Sequence, residues 1–390
     1  MTDRVYEKRF SERGAFWGLC AAMLSAAVIY IYMKIFAENC SNAAAGAVWI
    51  AACAAAAAMS FAARRTNLLS RSPRLRLIAD WGGGLWLVFV MWSFTIFIIM
   101  TAMAGILGLE MTAAAGAASF AAAACVVAAG VYSALHPGPT FIKIETDKLP
   151  PGVEKLRIVQ LADLHLGPSS GAFLLARVLR RVREVKPDMV VVTGDVTDGS
   201  FEGRRRETAM FRRIKPRYGF FAVTGNHDFY DDIEESLKFM RMSGMRVLRG
   251  EAVEAGGIVV EGVDDHDHVI EDKWGLTRSE TLIVNTKSRF HDKFILLLRH
   301  RPVVEIGTEG FFDLQLSGHT HGGQVFPMFS SRLLVRGHSR GLKKLKRGSL
   351  LYTSNGVGYV GPPVRLLAPP EIVVIDIVRK EGAPGAASAR

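Results

Sequence analysis

The sequence predicts two structural classes in one chain: an N-terminal all-α membrane domain of four spanning helices, and a C-terminal α/β domain built on two packed sheets. Three observations carry this reading. The charge of the 390 residues is unevenly spread, for residues 1–140 hold ten Lys/Arg and six Asp/Glu while residues 141–390 hold 38 and 31. The first part contains four apolar runs, each near the roughly 20 residues that a bilayer crossing needs. The second part alternates short apolar runs with amphipathic stretches and becomes strand-rich towards its end. Together these exclude a wholly soluble protein, a disordered chain, collagen and a coiled coil.

The four runs fall at about residues 14–36, 43–63, 82–106 and 111–135. The third, with Phe89, Trp92, Phe94 and Phe97, is the most apolar; the second and fourth are rich in Ala. Arg4, Lys8, Arg9 and Arg13 precede the first run, and Arg64, Arg65, Arg71, Arg74 and Arg76 separate the second from the third. Basic flanks stay cytoplasmic, so four crossings leave the C-terminal domain cytoplasmic as well. The first run is too long for a cleaved signal segment and reads as a retained helix. The cysteines are Cys20, Cys40, Cys53 and Cys125, so residues 141–390 use neither disulfide nor thiolate chemistry.

His136-Pro137-Gly138-Pro139 marks the boundary between a domain of residues 1–140 and one of residues 141–380; the Gly/Ala/Ser-rich residues 381–390 read as a frayed tail. Within the second domain, Arg157–Leu161 is a buried strand. Ala172–Val185 is a helix with Leu174, Leu175, Val178, Leu179 and Val182 on one face and arginines on the other. Met189–Val192 and Phe220–Val223 are the next strands. Later strands are expected at Gly257–Glu261, Phe294–Leu298, Leu314–Leu316, Leu350–Thr353 and Glu371–Val378.

Polar residues follow these strands at once: Asp163-Leu164-His165, Gly194-Asp195, Gly225-Asn226-His227-Asp228, His300, and Gly318-His319-Thr320-His321. Open α/β sheets build their sites at strand C-terminal ends. A donor set of Asp, His and Asn without Cys suits Mn, Fe, Zn or Mg-type ions. There are donors enough for two divalent metal ions, with one carboxylate able to bridge both. Two ions about 3.5–4 Å apart can share and activate a hydroxide for in-line attack on a phosphoryl group.

The order D-x-H, G-D, G-N-H-D, H, G-H-x-H resembles the calcineurin-like metallophosphoesterase superfamily over residues 155–378. Leu161–Gly167, Thr193–Asp198, Thr224–Asp228 and Ser317–Val325 look most like its bacterial membrane-associated branch, which includes enzymes similar to UDP-2,3-diacylglucosamine hydrolases. The resemblance implies a metallophosphatase fold, a two-sheet sandwich flanked by helices. It implies Asp163, His165 and His321 on a first metal, Asp195 as the bridge, and Asn226, His300 and His319 on a second. It further implies a catalytic role for His227, oriented by Asp228, with Asp198 either behind the ligands or capping a helix.

Asp264-Asp265-His266-Asp267-His268 reads as a polar loop near the pocket, His136 and His338 as lone surface or interfacial residues, and His291 beside Asp292 as a solvated turn. After the G-H-x-H motif comes an apolar segment with Phe326, Met328 and Phe329, then a basic run with Arg332, Arg336, Lys343 and Lys344. An apolar loop followed by cations suits an edge that meets an anionic membrane surface. The expected substrate is therefore a phosphodiester or pyrophosphate of a lipid-linked molecule. Rival readings are a tethered soluble-nucleotide phosphodiesterase, a phosphoprotein phosphatase, and a metal-binding scaffold without turnover. No nucleic-acid module is recognisable, and no nucleic-acid partner is expected.

Overall fold

The computed structural model describes residues 73–110, 112–167, 171–198, 204–230, 232–265, 277–305, 307–324 and 338–381. They belong to two units: one runs to Tyr132 and also takes in Gly361–Val364, and the other comprises Ser133–Val360 and the residues from Arg365 on. In the first unit, neither α1 (Pro73–Leu107) nor α2 (Ala113–Ala134) has an acidic residue in its first turn or a basic one in its last, the charges that complement a helix dipole. Trp81–Leu107 and Ala114–Ala134 are long and apolar enough to cross a membrane; the 27 residues of the first span about 40 Å at 1.5 Å per residue. Ile98, Ile99, Met103 and Ile106 of α1 are exposed, which water would penalise and lipid would not. These helices coincide with the third and fourth expected spans. The first and second spans, like the tail beyond Glu381, lie outside the described residues, so the four-helix domain is seen only as two helices.

In the second unit, two six-stranded mixed sheets pack face to face. The first runs β1 (Gly138–Thr146), β12 (Glu371–Arg379), β2 (Lys155–Leu161), β3 (Met189–Thr193), β4 (Phe220–Val223), β5 (Arg246–Val247). The second runs β10 (Gly341–Lys344), β11 (Leu350–Thr353), β9 (Leu314–Ser317), β8 (Ile295–Leu298), β7 (Ile258–Gly262), β6 (Glu251–Ala255). Strands β2 to β5 are parallel neighbours, as are β11, β9, β8 and β7. Parallel strands buried on both faces need near-continuous apolar sequence. Met189–Val192 and Ile295–Leu298 supply it, with every residue buried.

Alternation along the strands sorts side chains into layers. Ile158, Val191, Phe221 and Ile375 of the first sheet meet Val260, Leu296, Leu298 and Leu316 of the second between the sheets. Val159, Val190, Val192 and Val374 face outward onto α3 (Gly171–Glu184), which buries Leu174, Leu175, Val178, Leu179 and Val182. The apolar face read from the sequence is the face that packs. On the far side, Val259, Ile295 and Leu297 meet Ile283 and Phe290 around α7 (Arg278–Arg289). Short helices α4 (Arg205–Phe211), α5 (Asn226–Tyr230) and α6 (Ile233–Met242) complete the first sheet's cover. Two consequences position the site. The parallel strands β2, β3 and β4 end beside one another, and so do β8, β9 and β11. Gln160 then ties the two sheets, its amide donating to Thr193 Oγ1 and to the Ser317 carbonyl at 2.9 Å each.

Candidate metal centre

Each chemistry-bearing residue follows the end of one of these strands, so the fold brings five separate loops to one edge. Asp163 and His165 follow β2, Asp195 follows β3, Asn226 and His227 follow β4, His300 follows β8, and His319 and His321 follow β9. The loops turn sharply. Asp163, His165, Asp195, His319 and His321 all have φ between +44° and +73°, a left-handed region that non-glycine residues avoid. Such strain is kept where surrounding contacts over-determine it. Here, the backbone N–H of His319 donates to both Asp163 carboxylate oxygens (2.9 and 3.1 Å), and that of His227 donates to Asp195 Oδ1 (2.8 Å). Glycines make room: a Cβ on Gly194 would stand 2.6 Å from His300 Nδ1, and one on Gly225 would overlap the Asp195 carboxylate.

The side chains converge as two sets that share a carboxylate. Asp163, His165 and His321 offer ligand atoms within 4.8 Å of one another, as do Asp195, His300 and His319, and His165, Asp195 and His227. His165 Nε2 meets His321 Nε2 at 3.0 Å, and His300 Nε2 meets His319 Nδ1 at 3.1 Å. Asp195 Oδ2 lies 3.2 Å from His300 Nε2 and 3.7 Å from His165 Nε2, between the two sets. Asn226 Oδ1 is 3.1 Å from His300 Nε2. All seven residues proposed as ligands from the sequence are therefore gathered at one place.

Outer contacts set the ring nitrogens. His300 Nδ1 donates to the Thr193 carbonyl at 3.0 Å, which leaves Nε2 facing inward. His165 Nδ1 donates to Asp198 Oδ1 at 2.9 Å with the same result. Burial disfavours charge on His165 and His300, yet the surrounding carboxylates, Asp198 first for the former and Asp195 for the latter, lift them to about 9 and about 10. Burial and then His300 push His319 down to about 3; burial and then Arg365 hold His321 well below its usual range. Burial alone would raise Asp195, but His300 and His165 hold it well below the usual carboxylate range, while burial raises Asp163. Two pairs of facing ring nitrogens beside buried carboxylates need either shared protons or cations. A donor set of Asp, His and Asn oxygen and nitrogen fits divalent cations of the Mn, Fe, Zn or Mg type.

The structure revises one role. The carboxylate bound to His227 Nδ1 is Asp198, at 2.7 Å, so Asp198 and not Asp228 is placed to orient that ring. Asp228 lies buried beneath the loops, accepting from Gly225 N (2.9 Å) and Thr197 Oγ1 (3.0 Å); burial and Asp195 raise it to about 7. The spacing G-D-x-x-D, three residues past Asp195, was the sequence signal for Asp198. Arg365 was missed, and nothing local in Val364-Arg365-Leu366 points to it. Asp264 and Asp265 are occupied as loop fasteners. Asp264 accepts from Thr224 Oγ1 and from Arg249 (2.5 Å), and Asp265 forms a two-point pair with Arg301 (2.9 and 3.0 Å). Lys343 and Lys344 stand exposed on β10, the outermost strand of the second sheet. Phe326, Met328, Phe329, Arg332 and Arg336 lie outside the described residues, as do His266, Asp267 and His268.

Comparison with known proteins agrees with this geometry. The family model described as calcineurin-like phosphoesterase matches residues 156–323. An uncharacterized metallophosphoesterase of Aquifex aeolicus is 40% identical over 245 residues, which cover 61% of this chain and 90% of that protein. An uncharacterized metallophosphoesterase of Helicobacter pylori is 33% identical, over 65% of this chain and 68% of that one. A Danio rerio protein named "Transmembrane protein with metallophosphoesterase domain" is 32% identical over 64% of this chain but only 59% of its own length.

Proposed function

The chain belongs to the calcineurin-like metallophosphoesterase family and is a metal-dependent phosphoester hydrolase; from that premise we propose that it is a membrane-anchored, two-metal phosphodiesterase or pyrophosphatase acting on a lipid-linked substrate. The observation that carries the two-metal part is the shared carboxylate: Asp195 stands between the set Asp163/His165/His321 and the set Asn226/His300/His319. Two divalent cations in these sets would polarise a phosphoryl oxygen and lower the pKa of a water. His227 is not needed to hold them. Its ring is about a quarter exposed, and Asp198 fixes its Nδ1. Asp198 is held well below the usual carboxylate range because His165 and His227 overcome the effect of burial. With Nδ1 taken by Asp198, Nε2 is the ring atom left to contact the phosphate and pass a proton to the leaving oxygen. A scaffold that merely stored metal would not require this pair.

The membrane part is supported by the exposed apolar surface of α1, by the sequence of the apolar and basic run from Phe326 to Lys344, and by relatives whose names call them transmembrane proteins. The basic residues that flank the apolar runs support a cytoplasmic catalytic domain. His227→Ala is the test. It should keep the metal content of the wild type and lower turnover about 10²- to 10⁴-fold. A variant with unchanged turnover would remove His227 from the mechanism; one that also lost its metals would make it a ligand.

A further inference from the structure

Arg365 is among the largest side chains in the protein that are completely buried. Its guanidinium forms no ion pair with a described residue; burial lowers it to about 10, with only the more distant charges of Asp163 and Glu371 acting against that. A charge so placed is costly unless its donors are all used, and here they are. Nε donates to the Gly358 carbonyl at 3.0 Å. Nη1 donates to the carbonyls of His321 and Asn355, both at 2.8 Å. Nη2 donates to the Gly358 carbonyl and, at 3.1 Å, to His321 Nδ1. A guanidinium has no acceptor, so His321 Nδ1 is the acceptor in that contact.

These partners belong to two loops. One is the G-H-x-H turn that carries His321. The other, Asn355–Gly358, is bonded to the loop of the remaining two ligands: Val357 N–H donates to the Ala162 carbonyl at 2.8 Å and Gly358 N–H to the Asp163 carbonyl at 2.9 Å. A Cβ on Gly356 would stand 2.8 Å from Asp163 Cβ, so that loop and the Asp163 side chain are in direct contact. Arg365 is thus the tie that fixes His321 against Asp163 and His165. None of its bonds reaches Asp195, Asn226, His300 or His319.

We infer that Arg365 is the positioning residue of the first metal set, holding Asp163, His165 and His321 in register for one cation while leaving the second set to fold without it. The inference rests on the two-metal reading above. The experiment is Mn²⁺ titration of the purified full-length protein by calorimetry, with electron paramagnetic resonance of the bound ions. Wild type should bind two Mn²⁺ and show the spin-coupled spectrum of ions about 4 Å apart. Arg365→Lys keeps the charge but loses the fork. It should keep one site at wild-type affinity, weaken the other by at least about tenfold, and show an uncoupled six-line spectrum below saturation. His321→Ala should give the same spectrum.

Wild type that binds fewer than two ions overturns the two-metal reading before any variant is made. Arg365→Lys with two wild-type sites and a coupled spectrum overturns the inference alone. So does equal weakening of both sites, which would mark a general loosening. If the lysine variant does not fold, hydrogen exchange on wild type decides. Mn²⁺ should slow exchange in residues 355–360 together with residues 161–167, and protection of the latter without the former overturns the inference.

Discussion

At the scale of single residues, the ligands are held ready by bonds made on their far side. His165 and His300 each give Nδ1–H to a fixed oxygen, and carboxylates lift both rings above the ordinary imidazole value, to about 9 and about 10. Both are therefore protonated near pH 7.5 when no metal is present, and a cation must displace a proton to take Nε2. Metal affinity should rise with pH between about 6 and 9, because fewer protons then compete. Calorimetry of Mn²⁺ binding at pH 7.5 in two buffers of different ionisation enthalpy checks this. The apparent heats should differ by an amount that reports proton release, and identical heats would contradict the assignment. The residues on which this depends were legible from five short motifs, since Asp, His and Asn directly after apolar strands have few other uses. Their partners were less legible. Asp198 and Asp228 both follow a motif residue closely, and only the fold shows that Asp198 reaches the His227 ring while Asp228 turns under the loop. Arg365 contacts His321 across 44 positions of sequence, so no local pattern could connect them.

At the scale of elements, buried parallel strands and the amphipathic α3 were read within a residue or two, because an apolar run or a helical face is itself the physical cause of the element. Phe220–Val223 and Leu350–Thr353 agree end to end. β1 was missed, since Pro137-Gly138-Pro139 reads as a break. It is an edge strand in which exposed residues alternate with half-buried ones and, towards its end, with buried Ile144 and Thr146; a proline near its start removes no essential bond. β10 was missed for a related reason, being an exposed edge strand with two lysines. The far layer holds a testable oddity. Glu261 of β7 is fully buried beneath α7, and neither carboxylate oxygen has a hydrogen-bond partner among the described residues; burial, with Glu305 adding to it and the nearby Thr286 acting against it, raises it to about 8. The folded protein therefore keeps a proton that the unfolded chain releases near pH 4.5. Stability contributed by this group is complete below that value and declines as pH rises towards 8, by at most about 1.4 kcal/mol per pH unit. Glu261→Gln should flatten the dependence of the thermal midpoint on pH across this window. An unchanged slope would show that the carboxyl is solvated.

At the scale of the whole molecule, the division of labour follows from composition. The first unit spends its sequence on apolar helices, and the second concentrates its buried polar residues at one edge of two sheets. That division was visible in the uneven charge, as was the two-sheet character of the second unit in its alternating and then strand-rich pattern. The topology was not, because parallel order depends on which strands pair at distance; β12, last in the chain, inserts between β1 and β2. The central claim is hydrolysis of a phosphodiester or pyrophosphate by a site that Asp195 joins into one. Its most direct test is Mn²⁺-dependent hydrolysis by the purified full-length protein, beside Asp195→Asn. The substrates are a soluble phosphodiester, its matched monoester, and vesicles carrying a lipid phosphodiester or pyrophosphate. Turnover of the diester or pyrophosphate should be metal-dependent, greatest on vesicles and abolished by Asp195→Asn. Metal-loaded wild type that turns over none of these, or turnover that survives in Asp195→Asn, would contradict the central claim.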